Sequence, residues 1–151
     1  MANGKMSILD ILLVEDNQDD IIITKRALKE SGQCINNLWV VRDGREAMDF
    51  LKGQGEYAGR DTGVMPGLIL LDINLPKMSG LDVLKEIKSD PELRTIPVVM
   101  LTNSKSETDV LSGYKHGCNS FIQKPVEFER FIEVVGQIGI YWGLLNVDRP
   151  K

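Results

Sequence analysis

Four aliphatic residues, Leu68-Ile69-Leu70-Leu71, run without polar interruption and stop at an acid, Asp72. A strand with one wet face alternates apolar and polar residues, so an unbroken run of this kind belongs to a strand covered on both sides. Covering both sides takes helices above and below a sheet, which is the α/β architecture. Asp72 then sits at the carboxyl end of a strand, the edge of an open α/β sheet where ligands bind, and on that ground alone it is a candidate site residue. Pro76 and Gly80 follow. Proline fixes φ and glycine opens conformations closed to other residues, so the two are expected to shape the turn into the next helix.

The rest of the chain repeats this alternation. Ile8 to Val14 reads as a first strand ending at Glu15 and Asp16. Asn17, Asp19 and Asp20 can cap a helix whose apolar positions include Ile22, Ile23, Ala27 and Leu28, with Gly32 as its stop. Leu38 to Val41 makes a short second strand, and a helix after Gly44 carries Ala47, Met48, Phe50 and Leu51 inward. Residues 53–67 hold five glycines and a proline and form a long loop, either a partner contact or a mobile segment. After the Leu68 strand, Leu81, Leu84, Ile87 and Lys88 show helical spacing, ended by Ser89-Asp90-Pro91. Pro97 to Thr102 is a fourth strand, about Lys105 to His116 a helix stopped by Gly117, Ser120 to Gln123 a fifth strand, and about Glu127 to Leu144 a last helix. Five strand-helix alternations call for a doubly wound parallel sheet, and the order 2-1-3-4-5, the flavodoxin-like arrangement, suits five strands.

At 151 residues, 42% of them hydrophobic, the chain fits one domain. A net charge of -4 offers no basic footprint for nucleic acid or an anionic membrane, so neither is expected as a partner. No apolar run approaches the ~20 residues of a membrane span, and Asp10 breaks the first apolar stretch too early for a signal peptide. Cys34 and Cys118 suit reduced thiols, which together with the absence of a leader points to the cytoplasm. His116 is the one histidine and stands at a helix end, so it can build no metal cluster. The loop glycines lack the spacing of a nucleotide cradle.

In the expected strand order, strands one, three, four and five end side by side. That gathers Glu15, Asp16, Asp72, Thr102 and Lys124 at one edge. Three carboxylates so close repel one another unless a cation neutralises them. Oxygen donors without histidine or cysteine suit Mg²⁺ far better than zinc. Each residue alone has a plainer reading: the acid pair as helix N-terminal charges, Asp72 and Thr102 as caps, Lys124 as a solvated amine. The case for a site rests on their joint placement.

Val-Glu-Asp-Asn at 14–17, Leu-Leu-Asp-Ile-Asn-Leu-Pro-Lys-Met-Ser-Gly at 70–80, Leu-Thr at 101–102 and Lys-Pro at 124–125 resemble the signature blocks of response regulator receiver domains, from about Ile8 to Val135. The resemblance implies that Asp72 is a phosphoacceptor, taking its phosphoryl group from the phosphohistidine of a histidine kinase. It implies Mg²⁺ held directly by Asp16 and Asp72, by Glu15 through water, and by the backbone carbonyl of Asn74. Lys124 then supplies a second positive clamp on the phosphoryl oxygens, and Thr102 a hydrogen bond whose formation leaves room for Phe121 to turn inward as the family's aromatic switch. The output is a rearranged docking face for a downstream protein target, and the protein is a signalling protein that assists its own phosphorylation and dephosphorylation, not an enzyme acting on other substrates.

Two other classes share the architecture. A flavodoxin needs a phosphate-binding loop after its first strand, and the acids from Glu15 to Asp20 would repel a phosphate. An aspartyl-phosphate hydrolase carries a second acid two residues after its nucleophile, where Asn74 stands here. The sequence reads as a single receiver domain over 1–151, with a core of about 8–135, a C-terminal helix extension of about 136–151 and no effector domain. The long loop and the segment Ile140 to Leu145 resemble stand-alone regulators paired with phytochrome-type histidine kinases. Apolar residues from Phe128 to Leu145 surround too much of the last helix for one core-facing stripe, so a homodimer through this region is expected, Tyr141 and Trp142 being typical anchors.

Overall fold

The computed structural model describes residues 8–32, 34–103 and 107–138. Among them β1 (Ile8–Val14), β2 (Cys34–Val41), β3 (Leu68–Asp72), β4 (Val98–Thr102) and β5 (Ser120–Gln123) form one parallel sheet in the order β2-β1-β3-β4-β5. The helices between and after them are α1 (Gln18–Glu30), α2 (Gly44–Lys52), α3 (Gly80–Ser89), α4 (Glu107–Lys115) and α5 (Phe128–Ile138). This is the doubly wound, flavodoxin-like architecture. No described helix is long and apolar enough to cross a membrane.

Every residue of β3 and β4 is buried, as their unbroken apolar runs require. The two-residue period of a strand then sorts side chains between two cores. Leu9, Ile11 and Leu13 of β1, Leu68 and Leu70 of β3, and Ile122 of β5 face α1 and α5, where they meet Ile21, Leu28, Phe131 and Val134. Leu12, Val14, Ile69, Leu71, Val98, Met100 and Phe121 face the other side, packing on Met48, Leu51, Val83 and Ile87 of α2 and α3.

Several local expectations need correction. On α1 the inward residues are Ile21, Thr24, Ala27 and Leu28, while Ile22 and Ile23 are exposed. Three consecutive isoleucines carry no phase of their own, and the sheet selects the first. Strand β2 begins at Cys34, four residues earlier than its apolar stretch, because the polar Asn37 is held by Asp10 of β1: its backbone and side-chain nitrogens donate to Asp10 Oδ1 at 3.0 and 3.1 Å. That pairing sits where the β1–β2 register shifts, which is also how a strand accommodates Asp10. The described part of α4 starts at Glu107, so the expected start at Lys105 lies outside the described residues, as do Tyr141, Trp142 and the rest of 139–151.

The 53–67 loop is pinned at several points. A 3-10 turn over Gly55–Tyr57 leads to Arg60, whose guanidinium lies 4.0 Å from the Phe50 ring centre and donates to the carbonyls of Phe50 and Val64 at 2.8 Å. Phe50 also packs on Trp39 and Tyr57, each at 5.2 Å between ring centres. Tyr57 donates its hydroxyl to Glu46 of α2 at 2.6 Å.

Candidate functional site

The period that sorts the cores also aims the site. Glu15, Asp72 and Lys124 each stand two residues beyond Leu13, Leu70 and Ile122, so they continue the α1 and α5 side of the sheet past its carboxyl edge. Backbone ladders carry the strand ends into register: Glu15 N–H donates to Val41 O at 3.0 Å, Ile73 N–H to Leu101 O at 3.1 Å and Lys124 N–H to Thr102 O at 2.8 Å. The Lys124–Pro125 peptide is cis.

The turn after Asp72 differs in detail from its sequence reading. Lys77, not glycine, takes the left-handed backbone, with φ of 67°. Gly80 is needed for proximity instead: a Cβ there would stand 2.1 Å from the Asp72 carbonyl oxygen. The first turn of α3, capped by Ser79, is thereby drawn against the strand end. Within the turn the Asn74 N–H donates to Asp72 Oδ1 at 3.3 Å.

Around Asp72 the structure gathers Glu15, Asp16 and Lys124. Glu15, Asp16 and Asp72 each bring a carboxylate oxygen within 4.8 Å of the other two. Glu15 and Asp72 are buried and Asp16 is exposed. Lys124 Nζ lies 2.9 Å from Glu15 Oε1, 3.2 Å from Asp72 Oδ2 and 3.0 Å from Asp20 Oδ2. The other Glu15 oxygen accepts from Asn17 N–H at 3.1 Å. Thr102 is buried at the end of β4. Phe121 is already turned inward, 7% exposed, with its ring 5.2 Å from that of Tyr114, whereas the sequence reading has it turn in only on phosphorylation.

Asp20 is the site residue that the sequence reading missed, having been assigned to helix capping alone. It lies four residues before Thr24 on the inward stripe of α1. A helix phased on Ile21 rather than on Ile22 and Ile23 points Asp20 at the strand ends. The mistaken phase and the missed residue are one error.

Three carboxylates, those of Glu15, Asp20 and Asp72, thus share one ammonium, and Asp16 adds a fourth acid beside them. Burial, then the charge of Glu15, pushes the Asp72 carboxyl up to about 7, even though Lys124 and the Asn74 N–H pull it down. Burial would lower the Lys124 ammonium, but its bonds to Glu15 and Asp20 and the charges of Asp72 and Glu15 outweigh that and raise it. Lys124 stays charged and the pocket remains short of positive charge. Hard oxygen donors with excess negative charge fit a divalent cation of the Mg²⁺, Mn²⁺ or Ca²⁺ kind, and Glu15, Asp16 and Asp72 are the residues that could hold it.

Fold and site together define a class: doubly wound α/β proteins that collect acids and one buried lysine at the carboxyl edge of the sheet. The chain belongs to the response regulator receiver domain family, whose model matches residues 11–136. It is 42% identical over 132 residues to response regulator Rcp1 of Synechocystis sp., covering 87% of each chain. The crystal structure of the Mn²⁺-bound form of Rcp1 superposes with a TM-score of 0.71 at 43% identity, over 85% of this chain and 90% of that one. The bacteriophytochrome response regulator AtBRR gives a TM-score of 0.81 at 45% identity over 92% and 98% of the two chains. The phosphorylated cyanobacterial phytochrome response regulator RcpA gives 0.73 at 40% identity over 96% and 98%. The chain is accordingly a receiver-type response regulator of two-component phosphorelay signalling.

Proposed function

We propose that Asp72 accepts a phosphoryl group from the phosphohistidine of a sensor histidine kinase, with Mg²⁺ held by Asp16, Asp72 and the Asn74 backbone carbonyl and by Glu15 through water. The observation that carries this reading is the buried Asp72 carboxylate, grouped with Glu15 and Asp16 within 4.8 Å and facing the Lys124 ammonium at 3.2 Å. An Asp72 oxygen forms the new bond to phosphorus as the phosphorus–nitrogen bond breaks, and the imidazole leaves with the electron pair and takes up a proton. Bound Mg²⁺ supplies charge neutralisation for the phosphoryl oxygens. Lys124, tied to Glu15 and Asp20, stands ready as a second positive group for an oxygen of the acyl phosphate.

Readout runs through Thr102 and Phe121, which continue the α4 side of the sheet. Thr102 donates to the phosphoryl oxygen, drawing the loop after β4 inward. Since Phe121 is inward already, phosphorylation holds this position against an outward alternative and so shifts a population. The face that includes α4 then docks a downstream protein target. The kinase is of the phytochrome type, a reading supported by the similar proteins described as bacteriophytochrome and cyanobacterial phytochrome response regulators. The protein acts in the cytoplasm, assists its own phosphorylation and dephosphorylation, and pairs with a second copy through its C-terminal helix region.

Intact-mass measurement after treatment with acetyl phosphate and Mg²⁺ tests the central claim. One phosphoryl group is expected on the parent and none on Asp72→Asn, because an amide forms no acyl phosphate. Labelling of Asp72→Asn at the parent's rate sinks the assignment.

A further inference from the structure

We propose that Asp20 is a positioning residue for Lys124: its carboxylate keeps the ammonium at the strand ends while Glu15 and Asp72 change partners during phosphoryl transfer. The inference rests on the reading of Asp72 as the phosphoacceptor. An ammonium has three N–H donors. Three carboxylates from three elements meet them: Glu15 after β1 at 2.9 Å, Asp20 in the first turn of α1 at 3.0 Å and Asp72 at the end of β3 at 3.2 Å. Glu15 and Asp72 belong, with Asp16, to the acids grouped tightly enough for a cation, and Asp72 itself becomes the acyl phosphate. Asp20 belongs to neither role. It alone of the three is neither grouped with the acids that could hold a cation nor converted to the acyl phosphate.

The local structure holds Asp20 to this task. Its backbone N–H is bound by the Asn17 side chain at 2.9 Å, which fixes the first turn of α1, and its side chain is 23% exposed against 4% for Lys124. The plainer reading is an acid favouring the helix dipole, a service that Asp19 in the same turn also provides. A dipole role moves stability alone, whereas a positioning role moves the behaviour of Lys124.

The test compares the parent with Asp20→Ala, Asp20→Asn and Asp19→Ala, all checked by thermal melting. Nitrogen-15 NMR of the lysine ammonium groups, assigned with Lys124→Ala, reads the contact directly. A protected Lys124 signal is expected in the parent and in Asp19→Ala, and its loss in Asp20→Ala. Phosphorylation by acetyl phosphate, followed by intact mass, is expected to slow about tenfold in Asp20→Ala, the effect of one charge-assisted hydrogen bond. Asp20→Asn keeps an acceptor of the same shape, so it is expected to recover part of the rate, and it also serves if Asp20→Ala fails to fold. An unchanged signal and rate in a folded Asp20 variant overturns the proposal. Faster phosphorylation overturns it too, since Asp20 would then compete for Lys124. A parent that takes up no phosphoryl group fails the Asp72 reading instead, and the ammonium signal still decides the Asp20 contact.

Discussion

Tyr57 is held unusually firmly for a loop residue, and its phenol shows the consequence. Burial first, then the hydrogen bond and charge of Glu46 and the charges of Glu56 and Asp43, raise it from 10.0 to about 12. Between those values an unfolded chain loses the phenol proton while the folded chain keeps it. The unfolded state then binds fewer protons, so stability falls as pH rises from about 10 to about 12. Urea midpoints measured across that range are expected to fall more steeply in the parent than in Tyr57→Phe. Parallel slopes would show that Tyr57 does not carry the effect. At the same scale, Asp72 was legible in the sequence because its signal is local, an acid terminating an apolar run. Asp20 was not: its partner Lys124 lies 104 residues away, and only the rotation of α1 brings the two together.

A close approach between helix α4 and strand β5 argues for a coupled pair of elements. A Cβ at Gly113 would stand 2.4 Å from Phe121 Cζ, so the glycine makes room for the inward ring. Gly113→Ala adds helix propensity of about 1 kcal/mol but overfills the contact at a cost of about 1 to 3 kcal/mol. A lower melting temperature is expected, with loss of the NMR contact between the Tyr114 and Phe121 rings as Phe121 turns outward. An undisturbed melting temperature with the ring contact retained would disprove the steric coupling. The existence and order of the elements could be read from apolar runs and caps, because both are set by neighbours in sequence. The full length of β2 could not, since Asn36 and Asn37 look like a break until Asp10 is placed opposite Asn37.

For the whole molecule, the proposed pairing with a second copy would turn on α5 and the sequence after it. Phe131, Val134 and Val135 fill the core, while Ile132 remains 42% exposed on the opposite side. The apolar sequence continues through Tyr141 and Trp142 to Leu145, beyond the described residues. Light scattering is expected to give about twice 16.9 kDa for the parent and a folded monomer for the Tyr141→Asp/Trp142→Asp double variant. A parent that stays monomeric at high micromolar concentration ends the dimer reading. What the sequence determined by itself was the doubly wound sheet, its order and the acids and lysine at its carboxyl edge, because strand period, apolar runs and strand ends are written in adjacent residues. Only the tertiary structure decided the phase of α1, the three-way sharing of Lys124 and the inward side of Phe121. Each of these depends on how elements distant in sequence rotate against a common sheet, and a run such as Ile21-Ile22-Ile23 contains nothing local that could choose.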